Sequence, residues 1–137
     1  MLATPKAGTE TVLVVSPSLN RALSRILKAA SCPLTVLHSP GCRQALAHLS
    51  DSRISVVICE TLLPDGSWKD LLASMAREEA SSVLVVTSKV ADEWLWAEVL
   101  NLGGYDVLAQ PFDREEVTRV VRSAVRAGSD PWRRRLA

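Results

Sequence analysis

Residues Ile54–Gly66 read ISVVICETLLPDG. Ile54, Val56, Val57 and Ile58 form a β-branched apolar run, the pattern of a strand buried on both faces in a parallel sheet. The run ends on one acid, Glu60. Four residues later the chain turns at Pro64-Asp65-Gly66. In an open parallel sheet, sites form beyond the carboxyl ends of the strands. Glu60 is therefore the first candidate site residue.

Working outward, the same texture recurs on both sides. Thr11–Val15, Leu34–Leu37, Ser82–Val86 and Tyr105–Ala109 are further strand-length apolar runs. The last is the least apolar and is expected at a sheet edge. Helical spacing appears between them. Ser16-Pro17-Ser18 opens a first helix through Leu19, Leu23, Ile26 and Leu27, and Ala45, Leu46 and Leu49 mark a second. A third runs from Trp68 to about Glu79, with Leu71, Leu72 and Met75 inward. A fourth, from about Ala91 to Leu102, has an inward stripe of Leu95, Val99 and Leu102 and ends at Gly103-Gly104, residues suited to a left-handed cap. Asp113 and Glu116 have the spacing of a capping box for a last helix. That helix carries Val117, Val120, Val121, Ala124 and Val125 on one face and Arg119, Arg122 and Arg126 on the other, with Gly128–Pro131 as its stop. Five strands alternating with five helices through short connections imply a doubly wound α/β domain with right-handed crossovers.

The chain has 137 residues, room for one domain with a real core. Residues 1–9 read as an N-terminal extension, 10–127 as the domain and 128–137 as a tail. The formal net charge of +1 provides no global field toward nucleic acid or anionic lipid. No run approaches the ~20 apolar residues of a membrane span. The first ten residues lack an apolar signal-peptide core, so a cytoplasmic location is expected. Cys32, Cys42 and Cys59 are expected as reduced thiols; Cys32 and Cys42 flank a strand, roughly 15–20 Å apart by strand rise, too far for a disulfide. His38, at the end of the second strand, lacks the companions a metal site needs. His48 is expected on an exposed helix face.

These residues resemble the receiver domain of two-component response regulators, over about residues 10–127. The resemblance rests on Glu60 with Pro64 and Asp65-Gly66 beyond it, on the VVTS segment containing Thr87, and on GGYDVLAQPF at the fifth strand. The last is similar to the family's Gly-Ala-x-x-Tyr-Leu-x-Lys-Pro-Phe pattern. The resemblance implies a flavodoxin-like (CheY-like) sheet with strand order 2-1-3-4-5. It also implies an acidic pair after the first strand to hold Mg²⁺, a phosphoaccepting aspartate and a lysine before the proline. Here those places read Ser16-Pro17, Glu60 and Gln110. The hydroxyl is kept as Thr87 and the switch aromatic as Tyr105. Phosphoryl transfer depends on positioning and charge neutralisation, and Mg²⁺ favours carboxylate oxygens in octahedral geometry. The expectation is a degenerate site with no Mg²⁺, no other cofactor, no phosphorylation at Glu60 and no enzymatic activity.

Two readings of Glu60 stay open. It mimics a phosphorylated aspartate, or it is a half-exposed carboxylate bonded to Thr87, Gln110 or loop amides. The expected function is that of an atypical receiver acting through protein contacts. The alternatives are a receiver phosphorylated by unusual chemistry and a binder of small anions at the strand ends. By resemblance, the contact surface for a signalling partner or a second copy is the fourth helix, fifth strand and fifth helix. Its candidate residues are Trp94, Trp96 and Tyr105. Trp68 is read as core or as a lid over the site. Trp132 and Arg133–Arg135 are read as a tail, with nucleic acid not the expected partner.

Overall fold

The structure is a computed structural model that describes residues 10–30, 33–78 and 80–129. Cys32, Glu79, the extension and the Trp132–Arg135 tail lie outside these residues, so the expectations placed on them are not addressed. Strand β1 (Glu10–Val15) leads through helix α1 (Asn20–Lys28) to β2 (Leu34–Ser39), α2 (Cys42–Asp51) and β3 (Val56–Glu60). Two short strands follow, β4 (Leu62–Leu63) and β5 (Gly66–Ser67), then α3 (Trp68–Arg77). The chain closes with β6 (Val83–Ser88), α4 (Glu93–Asn101), β7 (Asp106–Ala109) and α5 (Arg114–Ser129).

The main sheet has the order β2-β1-β3-β6-β7, and all four of its pairings are parallel. Counting only its strands, this is the order 2-1-3-4-5, with the strand at Tyr105–Ala109 at an edge. Alternation along the central strands builds two cores. Leu13, Val15, Val57, Cys59, Leu84 and Val86 pack with Cys42, Ala45, Trp68, Leu71, Met75 and Val99, so α2, α3 and α4 cover one face. Val12, Val14, Val56, Ile58, Val83 and Val85 pack with Leu23, Leu27, Val117, Val120 and Val121, so α1 and α5 cover the other. Fully burying each such side chain contributes about 1.5–3 kcal/mol.

Three local expectations change. The α4 stripe holds for Val99, which is buried, but Leu102 is 53% exposed. The helix ends at Asn101 with Leu102 as its C-cap, and Gly103, just beyond, takes φ +103°. The following Gly104 is required by proximity, because a Cβ there would lie 2.5 Å from Val99 Cγ1. Gly128, the first residue of the expected stop, is itself still helical. Helix α5 continues to Ser129, and a Cβ at Gly128 would come 2.1 Å from the Ser55 carbonyl oxygen. Glycine there permits close approach of helix to strand. The capping box at α5 is half made: Asp113 accepts from the Glu116 amide (3.1 Å), while the Glu116 carboxylate accepts from the Ala109 amide (3.4 Å).

Candidate functional site at the carboxyl edge of the sheet

Strands β1, β3 and β6 deliver Ser16, Glu60 and Thr87 to one end of the sheet, with Glu60 and Thr87 in register. Ser16 is buried directly after β1. Its hydroxyl donates to Glu60 Oε2 at 2.6 Å, and its oxygen accepts from the amides of Ser18 (3.1 Å) and Leu19 (2.9 Å). A serine hydroxyl has one proton and two lone pairs, and Ser16 uses all three. It thereby joins the β3 carboxylate to the turn that starts α1. Pro17 is exposed and brings no side-chain donor or acceptor.

Thr87 and Gln110 form a second unit. Buried Thr87 donates to the Leu108 carbonyl oxygen (3.0 Å) and accepts from Gln110 Nε2 (3.2 Å). The Gln110 backbone amide donates to the Ser88 carbonyl oxygen (3.0 Å). The partner expected for Glu60 is thus corrected. Its carboxylate accepts from Ser16, while the Thr87 proton goes to the Leu108 carbonyl oxygen and a Gln110 Nε2 proton to Thr87. Ser16, Pro17 and Glu60 offer a single carboxylate, already bonded to a hydroxyl, which does not fit the carboxylate-rich oxygen set that Mg²⁺ favours. Among the described residues, no group of three His, Cys, Asp or Glu side chains is placed to hold a metal ion.

Trp68 is 4% exposed and packs in the core, so it is no lid over this edge. Tyr105 is half-buried, and its hydroxyl lies 2.5 Å from Ser123 Oγ on α5. On α4, Trp94 is 85% and Trp96 51% exposed. His38 Nε2 lies 2.9 Å from Ser24 Oγ of α1. Burial, with the Lys28 charge, holds its imidazole pKa below the ordinary value. Cys42 and Cys59 are free and buried. Burial, then the Asp65 and Asp70 charges, pushes the Cys42 thiol up to about 11, and burial pushes Cys59 further up. Both are therefore protonated, unreactive thiols at neutral pH.

One residue escaped sequence reasoning in its role. Asp65 sits in the tight connection between β4 and β5, which pair antiparallel. Its carboxylate accepts from the amides of Cys42 (2.7 Å) and Arg43 (3.0 Å) at the start of α2. Gly41 precedes that helix without a side chain to cap it, and a Cβ there would lie 2.5 Å from Asp65 Oδ1. Asp65 is the cap supplied from a distant loop. Those two amide bonds hold its carboxyl below the usual carboxylate range. A Gly-Cys helix start with no capping side chain was the available signal.

Residues 12–122 match the family model described as the response regulator receiver domain. Similar solved structures include the signal receiver domain of an HD domain-containing protein from Pseudomonas fluorescens Pf-5, 25% identical, with a TM-score of 0.78 and 93% of each chain covered. A two-component response regulator from Clostridium difficile is 18% identical, with a TM-score of 0.75, covering 88% of this chain and 99% of its own. A CheY-like receiver domain protein from Methanospirillum hungatei JF-1 is 13% identical, with a TM-score of 0.73 and coverages of 88% and 96%. At these last two identities the likeness concerns the fold alone. No curated protein matches the chain.

Proposed function

The chain belongs to the response regulator receiver domain family, and from that membership we propose that it is an atypical receiver of two-component signalling that acts through protein contacts without accepting phosphate. The observation that carries this is the Ser16–Glu60 hydrogen bond. Where the family resemblance implies several acids and a metal, one hydroxyl proton already rests on the one carboxylate. Gln110 supplies a neutral amide, bonded to Thr87, where the resemblance implies a lysine. Without metal or ammonium nothing neutralises the charge of a transferring phosphoryl group. The phosphomimic reading of Glu60 is disfavoured on the same ground, since its carboxylate bonds to Ser16, just after β1, and not to Thr87.

The contact surface in this proposal is α4, β7 and α5, centred on Trp94, Trp96 and Tyr105. Exposed tryptophan is enriched at binding hot spots. The domain is a non-enzymatic, cytoplasmic module in this reading. The test incubates the full chain with Mg²⁺ and acetyl phosphate and reads the intact mass. An unchanged mass is expected, and an acyl-phosphate adduct on Glu60 overturns the proposal. Pull-downs with wild type and Trp94→Ala, run side by side, address the surface. Identical partner sets would remove Trp94 from it.

A further inference from the structure

We propose that the outward edge of β2 is a docking site for an acidic, extended segment of a partner protein, which adds there as a further strand of the sheet. β2 is a terminal strand of the main sheet and is laddered to β1 alone. The Ser39 carbonyl oxygen accepts from the Ser16 amide (2.8 Å). That bond fixes the alternation along a parallel ladder. Thr35, Leu37 and Ser39 turn their backbone groups to β1, and Leu34, Val36 and His38 turn theirs outward. Among the described residues, nothing bonds those outward groups. The strand reads LTVLHS and holds no lysine, acid or proline, the residues that usually guard an edge. The other edge is closed. On β7 the Val107 amide donates to Asp106 Oδ1 (2.8 Å) and the Ala109 amide to Glu116 Oε1 (3.4 Å), so two outward amides each meet a carboxylate.

Charge selects the occupant. Helix α1 reads NRALSRILK, three cations and no acid. Its Ser24 meets His38 of β2, so α1 flanks this edge. Arg21 and Lys28 stand three before and four after Ser24 and share its side of the helix, and the Lys28 charge acts on the His38 imidazole. Arg21, Arg25 and Lys28 are exposed, and among the described residues no acid pairs with them. Successive side chains of a strand point to opposite faces. A strand added at β2 would therefore present every second side chain to the α1 face, where carboxylates would meet these cations. Its main chain would pair with Leu34, Val36 and His38, the mode in which backbone bonds give affinity and alternate side chains give specificity. A second copy is disfavoured, since a twofold axis at β2 would set the cations of two α1 helices side by side. Nucleic acid lacks the alternating amide and carbonyl groups that such an edge pairs with.

This site lies at the opposite edge of the sheet from the α4, β7 and α5 surface, and it stands whether or not Glu60 accepts phosphate. The Trp94→Ala pull-down and the intact mass read those other points, so each can fail alone. The test uses the full chain and a fluorescein-labelled peptide of about eight residues, enough to cover the roughly 20 Å of β2, with glutamate and threonine alternating. Two probes stand beside it: the same peptide N-methylated along its backbone, which keeps the charge and removes the strand-pairing donors, and a charge-matched single-stranded oligodeoxynucleotide. Saturable anisotropy is expected for the plain peptide, together with slowed amide exchange at Leu34, Val36 and His38. Affinity should fall at least about tenfold in the triple variant Arg21→Gln, Arg25→Gln, Lys28→Gln. It should also fall in Val36→Pro, which removes one outward donor at an edge position where proline is tolerated. If Val36→Pro does not fold, the triple variant, changed only at exposed side chains, and the methylated peptide still decide. Several results overturn the proposal: no saturation, equal binding of the methylated peptide, unchanged affinity in the triple variant, tighter binding of the oligonucleotide, or slowed exchange on β7 in place of β2. A wild type that sediments as a dimer while Val36→Pro is a folded monomer also overturns it, since a second copy would then cover the edge.

Discussion

Ser16 occupies three partners with one hydroxyl, and each bond crosses a junction that the backbone ladder does not. Replacing it with alanine strands two turn amides and leaves Glu60 without its donor. Ser16→Ala should lower stability by about 1–2 kcal/mol, read as a lower urea midpoint with an unchanged slope. An unchanged midpoint would mean the Ser16–Glu60 bond holds nothing together. Asp65 acts at the same scale but across more sequence. Its folded pKa is depressed by the Cys42 and Arg43 amides. The stabilisation from its charge is therefore full above the carboxyl pKa of the unfolded chain and is lost as pH falls through the folded value. Asp65→Asn should be less stable than wild type near neutrality, and the gap should narrow on acidification. A gap constant from neutral pH into the acid range would show that the charge does not matter. Neither role was legible in the sequence. It showed Ser16 and Asp65 as residues near Glu60, but which proton goes to which oxygen depends on atoms that only the fold brings within 3 Å.

At the scale of elements, the β4–β5 pair and the local roles of single residues at helix ends were the least legible, each for a local reason. Two-residue strands have no periodicity to detect, and Leu62-Leu63 and Gly66-Ser67 look like parts of a turn. The S-x-x-D start of α3 at Ser67 and Asp70 has the spacing of a capping box, and both bonds of that box form. Gly128 carried the composition of a helix stop, but its smallness serves a contact. Helix propensity alone says that Gly128→Ala should gain about 1 kcal/mol. A Cβ 2.1 Å from the Ser55 carbonyl oxygen says the reverse, since overpacking of this kind costs about 1–3 kcal/mol. The contact is with backbone, which cannot swing aside as a flexible side chain can, so the steric loss should win. Gly128→Ala is expected to melt below wild type. An Ala variant that melts higher would show that α5 can lift from β3 freely.

The whole molecule was the most legible scale, because the sheet's two cores are written as unbroken apolar runs and helical stripes that need no partner to be recognised. The site was legible only as a set of positions, and the tryptophans show why. Periodicity placed Trp68, Trp94 and Trp96 on helices, but whether a ring is core or surface depends on how each helix lies on the sheet. Trp68 opens α3 against Leu71 and Met75 and is buried, while α4 rests on Val99 and turns Trp94 to solvent. Stability should separate these roles. Trp68→Ala removes a buried indole and should cost about 3–5 kcal/mol. Trp94→Ala removes a ring that is 85% exposed and should stay within about 0.5 kcal/mol of wild type. If Trp94 serves recognition, the near-neutral variant is the one that loses partners, whereas Trp68→Ala loses them only as far as it unfolds. Urea denaturation and partner capture on the same two variants would decide it. A Trp94→Ala protein as destabilised as Trp68→Ala would make that ring part of the fold and leave the α4 surface without its anchor.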